Sequence, residues 1–243
     1  MSKIIRSNND DIKSFNKDIR KFLINGVVPE LISNDNVKFI NLDVDFKKCI
    51  MENFNQDSII LSYTNNRVKS YNLLIRKQKF PQSTDLYNSG EKIVFKEPHE
   101  TFHSNQECVV SKVNVENRKH SNGFVYKVYS LKIGNNILYR VHEDDEQRYI
   151  GLFSQLYKTM KLSGTKEWEQ YHKSKYEFLP PIEYGYSQTV HKSQGSTYKN
   201  VFIDLDNIED IANKFDIDFE RVMYTGISRA SDKLYILYKA YQN

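Results

Sequence analysis

Glycine and cysteine are scarce in this chain, and long apolar runs are missing from it. Two cysteines among 243 residues, Cys49 and Cys108, stand far apart in neither a CxxC nor a Cys/His spacing. That excludes a zinc site and a disulfide framework, leaves no metal-ligand set, and points to a reducing compartment. No stretch approaches the roughly 18 apolar residues of a membrane span, and the opening MSKIIRSNNDD lacks the apolar core of a signal peptide. The expectation is a protein of the cytoplasm, or of a host's cytoplasm if viral, with no membrane partner. The nine glycines leave no low-complexity tract beyond an enrichment in asparagine, and no internal repeat. Charge excess is small: a net charge of +4 permits an anionic partner without demanding one. What the chain does have is aromatic mass, 17 Tyr and 14 Phe, enough to build buried cores or, at a surface, flat rings on which bases stack.

The hydropathy pattern changes twice along the chain. Residues 7–26 begin with capping residues and acids, then place Ile12, Phe15, Ile19, Phe22 and Leu23 at helical spacing before Gly26, which predicts an amphipathic helix. A strand around 37–42 and a helix around 46–54 follow. SIILSYT (58–64) is a short continuous apolar run suited to a strand buried on both faces, and 65–77 repeats with helical period. From about residue 80 the texture becomes β-rich, with EKIVFKE, ECVVSKVNVE, GFVYKVYSLKI and NILYRVH separated by hairpin-type turns at Asn122-Gly123 and Gly134-Asn135-Asn136. These pieces read as a small antiparallel barrel. A polar, aromatic helical stretch over 151–177, interrupted near Ser163-Gly164, completes the insertion. After Pro180-Pro181 the chain returns to alternation: IEYGYSQT, KNVFIDLD, DFERVMYTGISRAS, LYILYKAY. The expected fold class is α/β, a discontinuous domain made of 1–82 and 179–243, with 83–178 inserted as a small β-barrel and a helical arm.

Two stretches carry chemistry. If YGYSQ ends a parallel strand, Thr189–Gly195 forms its C-terminal loop, where open α/β sheets bind ligands. Thr189, His191, Lys192, Ser193 and Gln194 offer several donors there, and Gly195 lets the backbone approach a phosphate. The same residues also suit a polar loop that caps the next helix. YTGISRASDKLYIL (224–237) holds Arg229 just before a strand, where its fixed charge and forked donors suit reaching a phosphate across a cleft or forming a surface ion pair with Asp232.

TVHKSQGST followed by YTGISRASDKLYIL closely resembles motifs V and VI of superfamily 1 helicases of the RecD-like and Dda-like branch. ILSYTNNRVKSYNLLIRK resembles the segment before the inserted domain of those enzymes, and IIRSNNDDI the arginine and following helix of motif IV. All four stand in the family's order, and the insertion falls where that branch carries an SH3-like domain. The resemblance implies a second RecA-like domain, a parallel sheet flanked by helices, from an ATP-dependent DNA helicase running 5′ to 3′. It implies that Arg6 and Arg229 reach the γ-phosphate of ATP held with Mg2+, and that Gly195 and Gln194 lie near the nucleotide. It also implies that Thr64, Asn65, Thr189, His191 and Lys192 touch the backbone of single-stranded DNA. No GxxxxGK[ST] occurs in the sequence. A first RecA-like domain bearing the P-loop, in cis or in trans, is therefore the implied partner, and the chain alone is expected to be inactive. Asp204 and Asp206 of VFIDLD, without an upstream phosphate cradle, read as strand-end acids. Thr197 stands where many relatives carry a glutamate against the ribose.

Two further readings remain open on sequence. One is a non-catalytic single-strand-binding module whose insertion offers Tyr126, Tyr129, Phe153, Tyr157 and Trp168 for stacking, although the same rings suit a barrel core. The other is part of an RNA helicase, since backbone contacts say little about the sugar.

Overall fold

The computed structural model describes residues 7, 9–27, 29–160 and 165–239 of the chain. They divide into two compact units, one formed by the chain up to Lys79 and from Tyr186 onward, the other by Phe80–Gly185.

Helix α1 (Asp10–Asn25) starts where the Asn9 side chain accepts from the amides of Asp11 and Ile12, and stops at Gly26, whose left-handed φ of 68° only glycine adopts cheaply. Strand β1 (Val37–Ile40), helix α2 (Asp43–Asn53), strand β2 (Ser58–Ser62) and helix α3 (Asn65–Lys79) follow. Every residue of β2 is buried, which accounts for its unbroken apolar run.

The second unit carries β3 (Lys92–Phe95), β4 (Glu107–Val109), β5 (Lys112–Lys119), β6 (Val125–Ile133), β7 (Asn136–Val141), α4 (Glu143–Met160), α5 (Thr165–Tyr176) and β8 (Ile182–Tyr184). The β-rich region is two three-stranded antiparallel sheets, β4-β3-β8 and β5-β6-β7. Ile93 and Phe95 of the first and Tyr129, Leu131 and Leu138 of the second share one core. Tyr126, Tyr149, Phe153 and Phe178 form another beneath α4 and α5. Three of the rings weighed as stacking platforms, Tyr126, Tyr129 and Phe153, are thereby at most 3% exposed and fill cores. Tyr157, 43% exposed, meets Trp168 edge-on at 5.4 Å.

The chain re-enters the first unit as β9 (Ser187–Thr189), then forms β10 (Tyr198–Asp204), α6 (Leu205–Phe215), α7 (Phe219–Ile227) and β11 (Ala230–Leu237). Two sequence expectations change here. IEYGYSQT is two strands, because Gly185 breaks it: a side chain there would meet the Ile93 backbone at 3.2 Å, and the segments on either side pair with different sheets. And the last two residues of VFIDLD are already helical, since Asp204 ends the strand and caps α6 by accepting from the Asn207 amide.

The sheet of the first unit runs β1-β11-β10-β2-β9 with every neighbour parallel. Alternation assigns its faces. Ile59, Leu61, Val201, Ile203, Leu234 and Ile236 meet Ile12, Phe15 and Ile19 of α1 and Val222 and Ile227 of α7. Phe202, between them in sequence, stacks on Tyr235 at 4.5 Å and takes Phe46 of α2 at 6.4 Å on the opposite face, with Tyr71 of α3 beside Phe46. Each such side chain contributes about 1.5–3 kcal/mol on burial. The outcome is the three-layered, RecA-like arrangement of a parallel sheet covered by helices on both sides. No helix among the described residues is long and apolar enough to cross a membrane.

Candidate nucleic-acid and nucleotide interface

Strands β2 and β9 are hydrogen-bonded neighbours in register Ser62↔Thr189, so the loops that leave their C-terminal ends emerge side by side. After β2 the chain turns through Tyr63 and Thr64 into α3. The Asn207 side-chain oxygen accepts from the amides of Tyr63 and Thr64, both at 3.0 Å, and from the Thr64 hydroxyl at 3.3 Å. Thr64 in turn caps α3, its Oγ1 accepting from the Arg67 amide at 3.3 Å, and Asn65 stands exposed in the first helical turn. After β9, Thr189 Oγ1 accepts from the Lys192 amide at 3.4 Å, and the fully buried Ser193 donates its hydroxyl to Val190 O at 2.6 Å. These bonds wind 189–195 into turns and leave His191 exposed. The His191 ring meets Tyr63 edge-on at 5.2 Å. Thr64, Asn65, Thr189, His191 and Lys192 are thus brought together on one edge of the sheet.

The same loop ends at the opposite, N-terminal end of the strands, where β10 begins. Gln194 is exposed, and Gly195 adopts φ +95° with nothing within 4 Å of where a Cβ would stand, so its backbone is open to a close ligand. Ser196 O, one residue on, accepts from Arg229 Nη1 at 3.2 Å. Arg229 lies between α7 and β11, where the sequence places it. Its guanidinium is turned inward: Nε donates to Thr225 O at 2.9 Å, Nη2 to Ser228 Oγ at 2.9 Å, and the residue is 6% exposed. The cation here answers the partial negative charge at the end of α7. Arg6 lies outside the described residues. Ser7, which follows it, donates its hydroxyl to Ser231 O at 2.5 Å, and Asn9 Nδ2 donates to Asp232 O at 3.2 Å. The start of α1 is therefore fixed beside the start of β11, two residues beyond Arg229.

Beside the Thr64 turn, at the C-terminal end of β10, sits a charge cluster that sequence spacing does not reveal. Asp204, fully buried, accepts from Arg67 Nε at 2.6 Å and from the Tyr71 hydroxyl at 2.7 Å, while its other oxygen caps α6. Arg67 also pairs with Asp43. Burial opposes the Arg67 charge, but the hydrogen bond and field of Asp204 outweigh it and raise its pKa further. Burial and then Asp204 push the Tyr71 phenol up, so it stays a donor. Burial works upward on Asp43 as well, yet the bonds from Lys47 and Arg67 hold it below the ordinary carboxylate value. Asp206 goes the other way: burial raises it, only partly offset by the Lys239 amide bonded to Oδ1 at 2.7 Å. Asp204 ends its strand as expected, whereas Asp206 lies in the first turn of α6. Asn207 and Arg67 are the residues that sequence reasoning passed over.

The family model for the UvrD-like helicase C-terminal domain matches residues 184–237. An uncharacterized protein of Acanthamoeba polyphaga mimivirus is 29% identical over 169 residues, covering 61% of this chain and 33% of that one. Among solved structures, a Pif1 helicase from Candida albicans is similar over 99% of this chain and 55% of its own, at 13% identity and TM-score 0.49. A Pif1 helicase from Bacteroides in complex with ADP-AlF3 and ssDNA is similar over 99% and 52%, at 12% identity and TM-score 0.45. This chain spans about half the length of those helicases, and its match covers a third of the viral relative. The segment that contains the Thr189–Gly195 loop and the Arg229 junction thus falls within the match to the UvrD-like helicase C-terminal domain.

Proposed function

We propose that the chain is the C-terminal motor half of an ATP-dependent DNA helicase of the RecD-like and Dda-like branch, moving 5′ to 3′ in the cytoplasm. Its site is completed by a first RecA-like domain that carries the P-loop, joined in cis or supplied in trans. The observation that supports this most is the path of residues 189–196. One short segment begins among Thr64, Asn65, His191 and Lys192 at the C-terminal ends of β2 and β9 and ends bonded to Arg229 at the N-terminal ends of β10 and β11. Hydroxyls, amides and an ammonium at the first end suit the phosphates of a single strand. At the second, the open backbone of Gly195, the exposed Gln194 and Arg229 suit a triphosphate. ATP with Mg2+ would be held mainly by the P-loop domain, and would supply the charge that draws Arg229 and Arg6 forward. Inserted as an SH3-like domain with a helical arm, 83–178 would extend the grip. The burial of Tyr126, Tyr129 and Phe153 weakens the alternative of a stacking module.

Arg229 exchanges its carbonyl partners for the γ-phosphate in this reading. An arginine finger accelerates phosphoryl transfer by roughly 10³–10⁵-fold. Mixing the chain with a matching P-loop domain is expected to give ATPase activity stimulated by single-stranded DNA. Arg229→Ala is expected to remove at least a thousandfold of it while leaving DNA binding in place. Failure of a correctly folded partner to restore hydrolysis counts against the motor reading.

A further inference from the structure

The Asn207 side chain is divided between two tasks. Its oxygen is spent inside the protein, taking three donors from the Tyr63–Thr64 turn. Backbone amides on that side identify the oxygen, and so fix which end of the amide is Nδ2. Nδ2 is thereby directed away from the turn, and among the described residues it has no hydrogen-bond partner. The placement is rigid. The Asn207 amide donates to Asp204 Oδ1 at 3.0 Å, and the other oxygen of Asp204 is held by Arg67 and Tyr71. Arg67 and Tyr71 belong to α3, which begins at the same turn, so one network locks the first turn of α6 to the start of α3.

We propose that Asn207 is a nucleic-acid-binding and positioning residue: its oxygen sets the Tyr63–Thr64 turn and its Nδ2 donates to a phosphate oxygen of the single strand crossing this edge. The inference rests on the reading that Thr64, Asn65, Thr189, His191 and Lys192 receive such a strand. A carboxamide suits the double role, because one end accepts while the other donates, in a fixed plane and without charge. Phosphates placed by such neutral donors are held in register in addition to being attracted.

Asn207→Asp separates the tasks, since a carboxylate oxygen still accepts from the turn while the donor is replaced by an acceptor. Asn66→Asp adds the same charge to exposed α3 surface beside Asn65 and serves as the control. Binding of the 243-residue chain to a labelled oligothymidylate is followed by fluorescence anisotropy across a salt series, with melting temperature recorded for each variant. Asn207→Asp is expected to melt with the unaltered chain and to bind at least tenfold more weakly, with Asn66→Asp within threefold. Asn207→Ala is expected to lower the melting temperature as well, because it strands the turn's donors. Should Asn207→Asp bind as tightly as Asn66→Asp while Lys192→Ala and His191→Ala weaken binding, the role of Asn207 is overturned and the edge reading stands. Should Asn207→Asp, Lys192→Ala and His191→Ala all leave affinity unchanged, or the unaltered chain not bind, both fall together.

Discussion

Gly226 sits in α7 against β10 with no room for a side chain. A Cβ built there lies 2.4 Å from Ile203 Cδ1, whereas Val190 Cγ2 at 3.5 Å and Ile203 Cγ1 at 3.6 Å are ordinary contacts. Carbon atoms pack at about 3.5–4.0 Å, so a single methyl group of Ile203 must retreat by about 1 Å, and Ile203 is fully buried. Overpacking of this kind costs about 1–3 kcal/mol, and replacing a helical glycine by alanine returns about 1 kcal/mol. Gly226→Ala is therefore expected to destabilise the parallel-sheet unit by about 0–2 kcal/mol. Ile203→Val deletes the obstructing methyl and alone costs about 0.5–1.5 kcal/mol. Combined, the two are expected to be more stable than their sum by about 1–3 kcal/mol. Hydrogen exchange of β10 amides under native conditions reads this free energy for the unit concerned, without requiring the two units to unfold together. Additivity within about 0.5 kcal/mol would refute the steric account. The same helix carries Thr225 O, so Gly226→Ala should also disturb the seat of Arg229.

Two electrostatic predictions accompany it. Asp204→Ala leaves Arg67 Nε, the Tyr71 hydroxyl and the Asn207 amide without their shared acceptor. Removing one partner of a buried pair costs about 3–5 kcal/mol, and the lower end is expected because Arg67 keeps Asp43; a loss under about 1 kcal/mol in urea unfolding, the range of an exposed ion pair, would contradict the network. Asp206 has a folded-state pKa raised above the ordinary 3.8, so the folded protein binds this proton more tightly than the unfolded chain. Its carboxylate form is a liability above that raised pKa and ceases to be one as pH falls through it. Asp206→Asn, which keeps an oxygen for the Lys239 amide, should raise the melting temperature at pH 7, with the gain shrinking towards pH 4. A gain independent of pH would contradict burial as its cause.

How much of this could be read in advance depended on how local the determining contacts are. Helix α1 was legible because Asn9 and Gly26, its two ends, act on residues within a turn of themselves. The edge at β2 and β9 was legible through its polar residues directly following buried strands. Helix α6 was not, because Asp204 and Asp206 alternate with Ile203 and Leu205 as a strand would. The contrary signal was an acid able to cap, followed by Leu205, Ile208 and Ala212 at helical spacing. Gly185 hid a change of sheet, since spacing does not say which strand a segment pairs with. Asn207 had no local mark at all: its partners lie 143 and 144 residues earlier. The inward turn of Arg229 is a choice among side-chain rotamers that a sequence leaves undetermined.

The loop between Thr189 and Tyr198 has a mechanical consequence. β10 runs seven residues from Tyr198 to Asp204, about 20 Å at 3.3 Å per residue, and the loop must recover that length while crossing β2. A fully stretched chain of its size reaches only about 30 Å, and part of it is coiled into the turns around Ser193. So little spare length makes it a taut strap across the sheet. A tug at Ser196 has nowhere to dissipate before it arrives at His191.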